Sequence, residues 1–315
     1  MSLIIDGTSG VTFNDSSLQG AAASPYVLKN RLINGAFAID QRNAGASQTF
    51  TAAAAIAYTV DRWYGSCTGA NITGQRVAGT SPNQYAYKFT GAASNTGTLF
   101  GQRIESFNAY DLISTTVVGS VTIKSSSITT VTWTAYYANT SDTFSAKTSI
   151  ATGTLTVTST ATNYSFSFNA GANAGNGIAI EFTTGALTAT NTLQYENAQL
   201  EIGSTATPFE RRLYGQELIN CQRYYQNFYP TVFAPGGGFK LWDSYTMVFF
   251  PPMRATPSVG SRVGTPSYNY TSGGSMGTMS ASSAWVGWQN TGSDNTWYDK
   301  SINFNGVYFP LSIEL

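Results

Sequence analysis

The chain has 315 residues, of which only 10% are charged, with sixteen basic and sixteen acidic side chains and a formal net charge of zero. A typical soluble protein is about 25% charged; here neutral Thr, Ser, Asn, Ala and Gly take the place of the missing charge. That balance excludes the electrostatic footprint of a nucleic-acid binder or of a protein drawn to anionic membranes. The complete lack of histidine removes Ser-His-Asp and Cys-His catalysis, His-ligated zinc and the commonest general base.

Residues 1–29 stand apart. They hold two short apolar stretches, Leu3 to Ile5 and Val11 to Phe13, split by a Gly-Thr-Ser-Gly turn and followed by the flexible string GAAASP. So little apolar surface cannot form a core, so this is an extended segment that orders by attaching to a partner. It lacks a basic stretch followed by a long apolar one, which predicts synthesis in a cytoplasm without a signal peptide. No run of about 18 apolar residues exists to insert in a membrane.

Residues 30–212 show repeated strand-period alternation. Val131, Trp133 and Ala135 share one face, with Thr132 and Thr134 on the other; Tyr164, Phe166 and Phe168 align, as do Ile178, Ile180 and Phe182. Shorter runs at Tyr85 to Phe89, Val121 to Ile123 and Leu155 to Val157 repeat the pattern between Gly, Asn and Ser clusters. Eight or so such strands predict a β-sandwich of jelly-roll type. Cys67 and Cys221 lie too far apart in so long a chain for a disulfide scaffold and are expected to be free and buried.

Charge gathers in one place, at Glu201, Glu210, Arg211, Arg212, Glu217 and Arg223. A catalytic cluster is one reading; a structural junction built from Glu210, Arg211, Arg212, Glu217 and Arg223 is the one preferred. The stretch GQELINCQRYYQ places Leu218, Cys221, Tyr224 and Tyr225 on one helical stripe, predicting a short linking helix. Residues 213–315, helix included, then read as a second, smaller β-sandwich-like domain rich in aromatics and Gly, so the whole is all-β.

The blocks NRLINGAFAIDQRNAG, YTVDRWYG and QYENAQLEIGSTATPFERR resemble the carbohydrate-binding-like jelly-roll module of bacteriophage tail fibre proteins. The continuation ELINCQRYYQNF with FFPPMRATPSV is similar to the C-terminal module that often follows it. The resemblance covers about residues 30–259 in blocks. It implies a virion protein of the tail or baseplate, a homotrimer, docked to a phage baseplate or tail protein through residues 1–29 and recognising host surface polysaccharide. A purely structural virion protein is the alternative, and a glycan hydrolase the second. No hydrolase motif is present, although Asp294 and Asp299 could pair as acids, and no enzyme activity is expected.

Within these blocks Asn34, Gly35 and Phe37 are expected to open the first strand, and Asp61, Arg62 and Trp63 the next, with Trp63 in the core. Asp61 is either a turn acceptor or, as in many jelly-roll carbohydrate modules, a ligand of Ca²⁺; no other cofactor is implied, and no dense acidic loop supplies the six to eight oxygens calcium needs. The glycan-binding candidates are Trp285, Trp288, Asn290, Asp294, Trp297 and Tyr298, because aromatic planes stack on sugar faces while amides and carboxylates bond the hydroxyls. The competing reading puts these tryptophans in the core and trimer interface of the small domain.

Overall fold

The computed structural model describes residues 4–6, 10–12, 18–19, 29–228, 242–248, 251–261, 263, 267–268, 274–278, 283–289, 302–303 and 309–315. Three short strands, β1 (Ile4–Asp6), β2 (Gly10–Thr12) and β3 (Leu18–Gln19), pair in order as an antiparallel sheet. Twelve strands follow between residues 48 and 202: β4 (Gln48–Phe50), β5 (Ala57–Tyr58), β6 (Trp63–Thr68), β7 (Ile72–Ala78), β8 (Tyr85–Thr90), β9 (Gly97–Ile104), β10 (Thr116–Ser125), β11 (Thr130–Thr140), β12 (Thr143–Thr156), β13 (Thr162–Asn169), β14 (Ile178–Thr184) and β15 (Thr192–Ile202). They form two six-stranded sheets, in the orders β13-β10-β15-β8-β7-β4 and β12-β11-β14-β9-β6-β5. The chain crosses repeatedly from one sheet to the other, as in a jelly roll, and one core fills the space between them.

That core is a chain of aromatic rings. Trp63 stacks on Phe100 at 4.8 Å, Phe100 on Tyr87 at 5.1 Å, and Tyr195 lies 5.0 Å from Phe100. Phe182 continues from Tyr195, Phe166 from Phe182, and Trp133 stacks on Phe166 at 4.3 Å. The period-two pattern puts these rings inside: Trp133 and Ala135 are buried while Thr132 and Thr134 between them are partly exposed. Each such ring pair adds about 0.5–1.5 kcal/mol beyond its buried area.

Strand β14 departs from simple alternation, since Ala179 and Glu181 are buried along with Ile178, Ile180 and Phe182. Its outer face is covered as well. Ala179 packs with Ala138, Phe144 and Leu315, and Glu181 accepts from Tyr64 Oη at 2.8 Å and pairs with Lys147.

Two of the expected strand starts are turns instead. Asn34 and Phe37 have φ of 58° and 55°, and no strand begins before Gln48 in this stretch. The turn is held from inside: Asn34 Nδ2 donates to the carbonyls of Ile39 and Asp61 at 2.8 and 3.0 Å, and its Oδ1 accepts from Ile39 N. Gly35 is needed for close approach, because a Cβ there would stand 2.1 Å from the Ala198 carbonyl oxygen. Asp61 and Arg62 also belong to a turn, with Arg62 at φ 72°, and β6 begins at Trp63, which is fully buried.

The linking helix α2 spans Tyr214–Gln222, shorter than the stripe predicted. Cys221 and Tyr224 are buried, but Tyr224 and Tyr225 lie beyond the helix, and Tyr225 opens the next strand. Both cysteines are free and buried. Beyond it the described strands are β16 (Tyr225–Phe228), β17 (Trp242–Val248), β18 (Ser258–Val259), β19 (Ser267–Tyr268), β20 (Gly274–Thr278), β21 (Ser283–Gln289), β22 (Ile302–Asn303) and β23 (Phe309–Ser312). They form three small antiparallel sheets: β16-β23-β18, β17-β21-β20 and β19-β22. No helix among the described residues is long and apolar enough to cross a membrane.

Candidate functional site

Each of the five residues expected at a junction bonds to a residue between 30 and 105. Glu210 Oε2 accepts from the Asn30 amide at 2.7 Å, and Glu217 accepts from the Asn34 amide. Arg212 lies between them, 3.8 Å from Glu210 and 3.4 Å from Glu217, and donates to the carbonyls of Asn30 and Leu32. Arg211 reaches Asn83 Oδ1 at 2.9 Å, and Arg223 reaches Glu105 Oε1 at 2.9 Å. Sequence offered the acids and bases here but not their partners, which come from about 180 residues upstream in the case of Asn30 and Asn34.

A second ionic cluster was not foreseen. Glu314 is held by Arg42 at 2.8 Å and by Arg62, whose guanidinium lies 3.5 Å from the Tyr224 ring; Arg42 lies 3.8 Å from the Tyr225 ring. Tyr58 Oη donates to the Leu315 carbonyl at 2.9 Å, and Arg103 donates to it as well. Burial and the nearby Glu314 carboxylate push the Tyr58 hydroxyl up to about 12. Gln41 adds a further tie, with its Nε2 donating to Tyr225 O at 3.0 Å and to Asp61 Oδ1 at 2.9 Å.

Asp61 does not fit a calcium site. It is fully buried, and its two oxygens accept from Gln41 N at 2.7 Å and Gln41 Nε2 at 2.9 Å. Among the described residues no group of three or more His, Cys, Asp or Glu could hold a metal ion, and calcium wants six to eight oxygens. Burial raises the Asp61 carboxyl to about 6 against the pull of its hydrogen bonds from Gln41.

Of the glycan-binding candidates, Trp285 and Trp288 fall in β21. Their backbones pair with Thr246 and Asp243 of β17, in a register that runs without a bulge from Trp242 to Val248. Asn290, Asp294, Trp297 and Tyr298 lie outside the described residues.

The structure exposes aromatic side chains elsewhere, at a place sequence reading missed. After β9 the chain makes a single helical turn, α1 (Ser106–Ala109), continued by a 3₁₀ turn over Tyr110–Leu112. Ser106 N donates to Asp142 Oδ1 at 2.7 Å and fixes the start of that turn. Ala109 and Leu112, three residues apart, are buried in the sandwich core. Phe107 and Tyr110, also three apart, therefore share the opposite face, and they are 86% and 70% exposed. They flank a cleft of about 610 Å³ that is also lined by Asn108, Asp111, Arg31 and Gly175. Asp111 and Arg31, both in its lining, neutralise each other at 2.5 Å. Gly175 keeps its wall low: a Cβ there would stand 2.9 Å from Ile113 Cδ1.

A cleft of this size falls within the usual range for small-molecule sites, about 300–1,000 Å³. Two large exposed rings offer stacking surface, the Asn108 amide and Asp111 carboxylate offer both hydrogen-bonding senses, and no net charge is left over. The chemistry suits a neutral polyhydroxylated ligand. The one sequence signal was the pairing of two apolar i, i+3 stripes in ESFNAYDLIS, and nothing in it says which stripe faces outward.

No family model and no curated protein matches the chain. Solved structures do resemble it at low identity. A putative sugar binding protein from Bacteroides thetaiotaomicron VPI-5482 is 12% identical over 56% of this chain and 100% of that one, with a TM-score of 0.40. The CBM22-1 xylan-binding domain of Paenibacillus barcinonensis Xyn10C is 11% identical over 52% of this chain and 99% of its own, with a TM-score of 0.32. The enzymatically active domain of tailspike protein 4 from bacteriophage CBA120 is 12% identical over 55% of this chain and 21% of its own, with a TM-score of 0.33. At these scores the two sheets themselves, rather than the likenesses, define the architecture.

Proposed function

We propose that this chain is a phage tail-fibre or receptor-binding protein, without enzymatic activity, whose jelly roll binds neutral host-surface glycan at the Phe107–Tyr110 cleft. It resides in the virion as a homotrimer docked through residues 1–29. The observation that carries the glycan reading is the outward face of the turn at residues 106–112, where Phe107 and Tyr110 are held open to solvent beside Asn108 and a self-neutralised Arg31–Asp111 pair. Nearby acids are committed to ion pairs, Asp111 with Arg31 and Glu105 with Arg223 and Arg254, which supports binding over hydrolysis. The tail role rests on the sequence blocks between residues 30 and 259.

One or two stacked rings give an affinity of roughly millimolar order once ordering costs are met. Three copies facing one cell surface raise avidity by about 10² to 10⁴, which makes so weak a site adequate on a fibre. The test is binding of the full chain to neutral gluco-, galacto-, manno- and xylo-oligosaccharides by calorimetry, with mass by light scattering. Phe107→Ala and Tyr110→Ala are expected to lose binding at an unchanged melting temperature, while Trp288→Ala keeps it. Binding retained by Phe107→Ala overturns the cleft, and loss only in Trp288→Ala moves the site to the tip. A monomeric mass overturns the homotrimer.

A further inference from the structure

Phe107 and Asn108 also line a second depression, of about 240 Å³. Its remaining walls include Ile33, Glu105, and Asn220 and Arg223 at the end of α2. Alone it is smaller than the usual range for a ligand site, about 300–1,000 Å³. Because it shares Phe107 and Asn108 with the larger cleft, it extends the same surface.

The polar groups here are not all spent. Asn220 is only partly exposed, yet its side-chain amide has no hydrogen-bond partner among the described residues. Arg223 is 44% exposed and gives one bond, from Nη2 to Glu105 Oε1. Asn108 donates to that same Glu105 oxygen at 3.1 Å, which leaves its own carbonyl oxygen to accept. Glu105 is fixed from behind by Arg254 Nε at 3.1 Å, so the carboxylate that orients Arg223 and Asn108 is itself held still. An amide and a guanidinium lining the depression beside an aromatic ring match the hydroxyls of a second sugar unit, because amides donate and accept while guanidinium groups donate in pairs.

We infer that the second depression is a subsite that takes the next units of an oligosaccharide chain bound over Phe107, so that the site reads an internal run of a neutral polysaccharide and not a single terminal sugar. This rests on the glycan reading of the larger cleft. It makes α2 part of the recognition surface and gives Asn220 and Arg223 a role in selecting chain length.

The test is calorimetric affinity of the full chain for neutral oligosaccharides of one to six units, in the sugar series that binds. Affinity is expected to rise about tenfold between two and four units, the effect of one or two added hydrogen bonds. In Asn220→Ala, which removes no hydrogen bond within the fold among the described residues, that rise is expected to vanish; Arg223→Gln, which removes the guanidinium and its bond to Glu105, is the second variant. A flat affinity-versus-length curve in the unaltered protein, or a rise that survives both variants, overturns the subsite while leaving the larger cleft standing. Absence of binding at every length in all four series overturns both.

Discussion

Glu314 is the residue on which the last described segment depends. Its side chain is 6% exposed and faces Arg62, 1% exposed, and Arg42, 16% exposed. Truncation by Glu314→Ala leaves both guanidinium groups buried with little else: Arg62 keeps the Arg103 carbonyl at 2.6 Å, and each keeps a tyrosine ring. The Nε atoms of both arginines already lack a hydrogen-bond partner. Breaking one side of a buried ion pair costs about 3–5 kcal/mol, well above the roughly 2 kcal/mol that a desolvated cation–π contact supplies. A loss of that size lowers a melting temperature by on the order of 10 °C in a chain of this length. Scanning calorimetry measures it, and hydrogen exchange at the Ile313 amide, bonded to Tyr224 O at 2.9 Å, localises it. Replacing the more buried pair, Glu314→Leu with Arg62→Met, is expected to recover part of the loss, because the deeply buried guanidinium leaves with its carboxylate and only Arg42, 16% exposed, stays unpaired. A Glu314→Ala midpoint equal to that of the unaltered protein, or a double variant no better than the single one, refutes the reasoning.

Asp61 gives a pH dependence with a definite sign. Burial raises its carboxyl from 3.8 to about 6, so the folded state binds the proton more tightly than the unfolded state. The resulting stability is fully present below pH 4 and is lost as pH rises through 6, on the order of 3 kcal/mol for a shift of about two units. Melting temperatures between pH 4 and 7 should therefore fall with rising pH more steeply in the unaltered protein than in Asp61→Asn; parallel profiles would sink the assignment. Gly35→Ala is expected to destabilise by about 1–3 kcal/mol or more, because the added carbon meets a backbone oxygen that cannot move freely. Gly215→Ala in α2, where nothing lies within 4 Å, should be neutral or stabilising by up to about 1 kcal/mol. Chemical denaturation compares the two, and equal effects would show that close approach at Gly35 is not what matters.

The sandwich was legible because period-two alternation with neutral outer residues is a local signal. Trp133, Phe166, Phe182 and their neighbours sit inside for the reason their spacing gives. Where a second surface covers a strand, the signal fades: Ala179 and Glu181 are buried by Phe144, Leu315 and Lys147, which only the folded chain brings to β14. The turn at Asn34 to Phe37 failed as a strand prediction for the same kind of reason. Its positive φ values are held by hydrogen bonds to Ile39 and Asp61 and by Glu217, 183 residues away. At α2 the stripe was read too far, because Tyr224 and Tyr225 are buried by Arg62 and Arg42 and not by helical periodicity.

The neutrality of the exposed aromatic face, where Arg31 meets Asp111, is one case of a wider pairing of arginines with acids. Arg42, Arg62, Arg212, Arg223 and Arg254 are each engaged with an acid, and all of these pairs but Arg212–Glu217 join a residue before α2 to one after it. Glu105 is the point where this network reaches the candidate site: it directly follows β9, accepts from Arg223 and Arg254, and is followed at once by the turn that carries Phe107 and Tyr110. A few buried ion pairs contribute orientation more than stability. The aromatic turn is thus positioned by the same carboxylate that ties the C-terminal segment to the sandwich, and a glycan held over Phe107 would be read against a frame fixed at both ends.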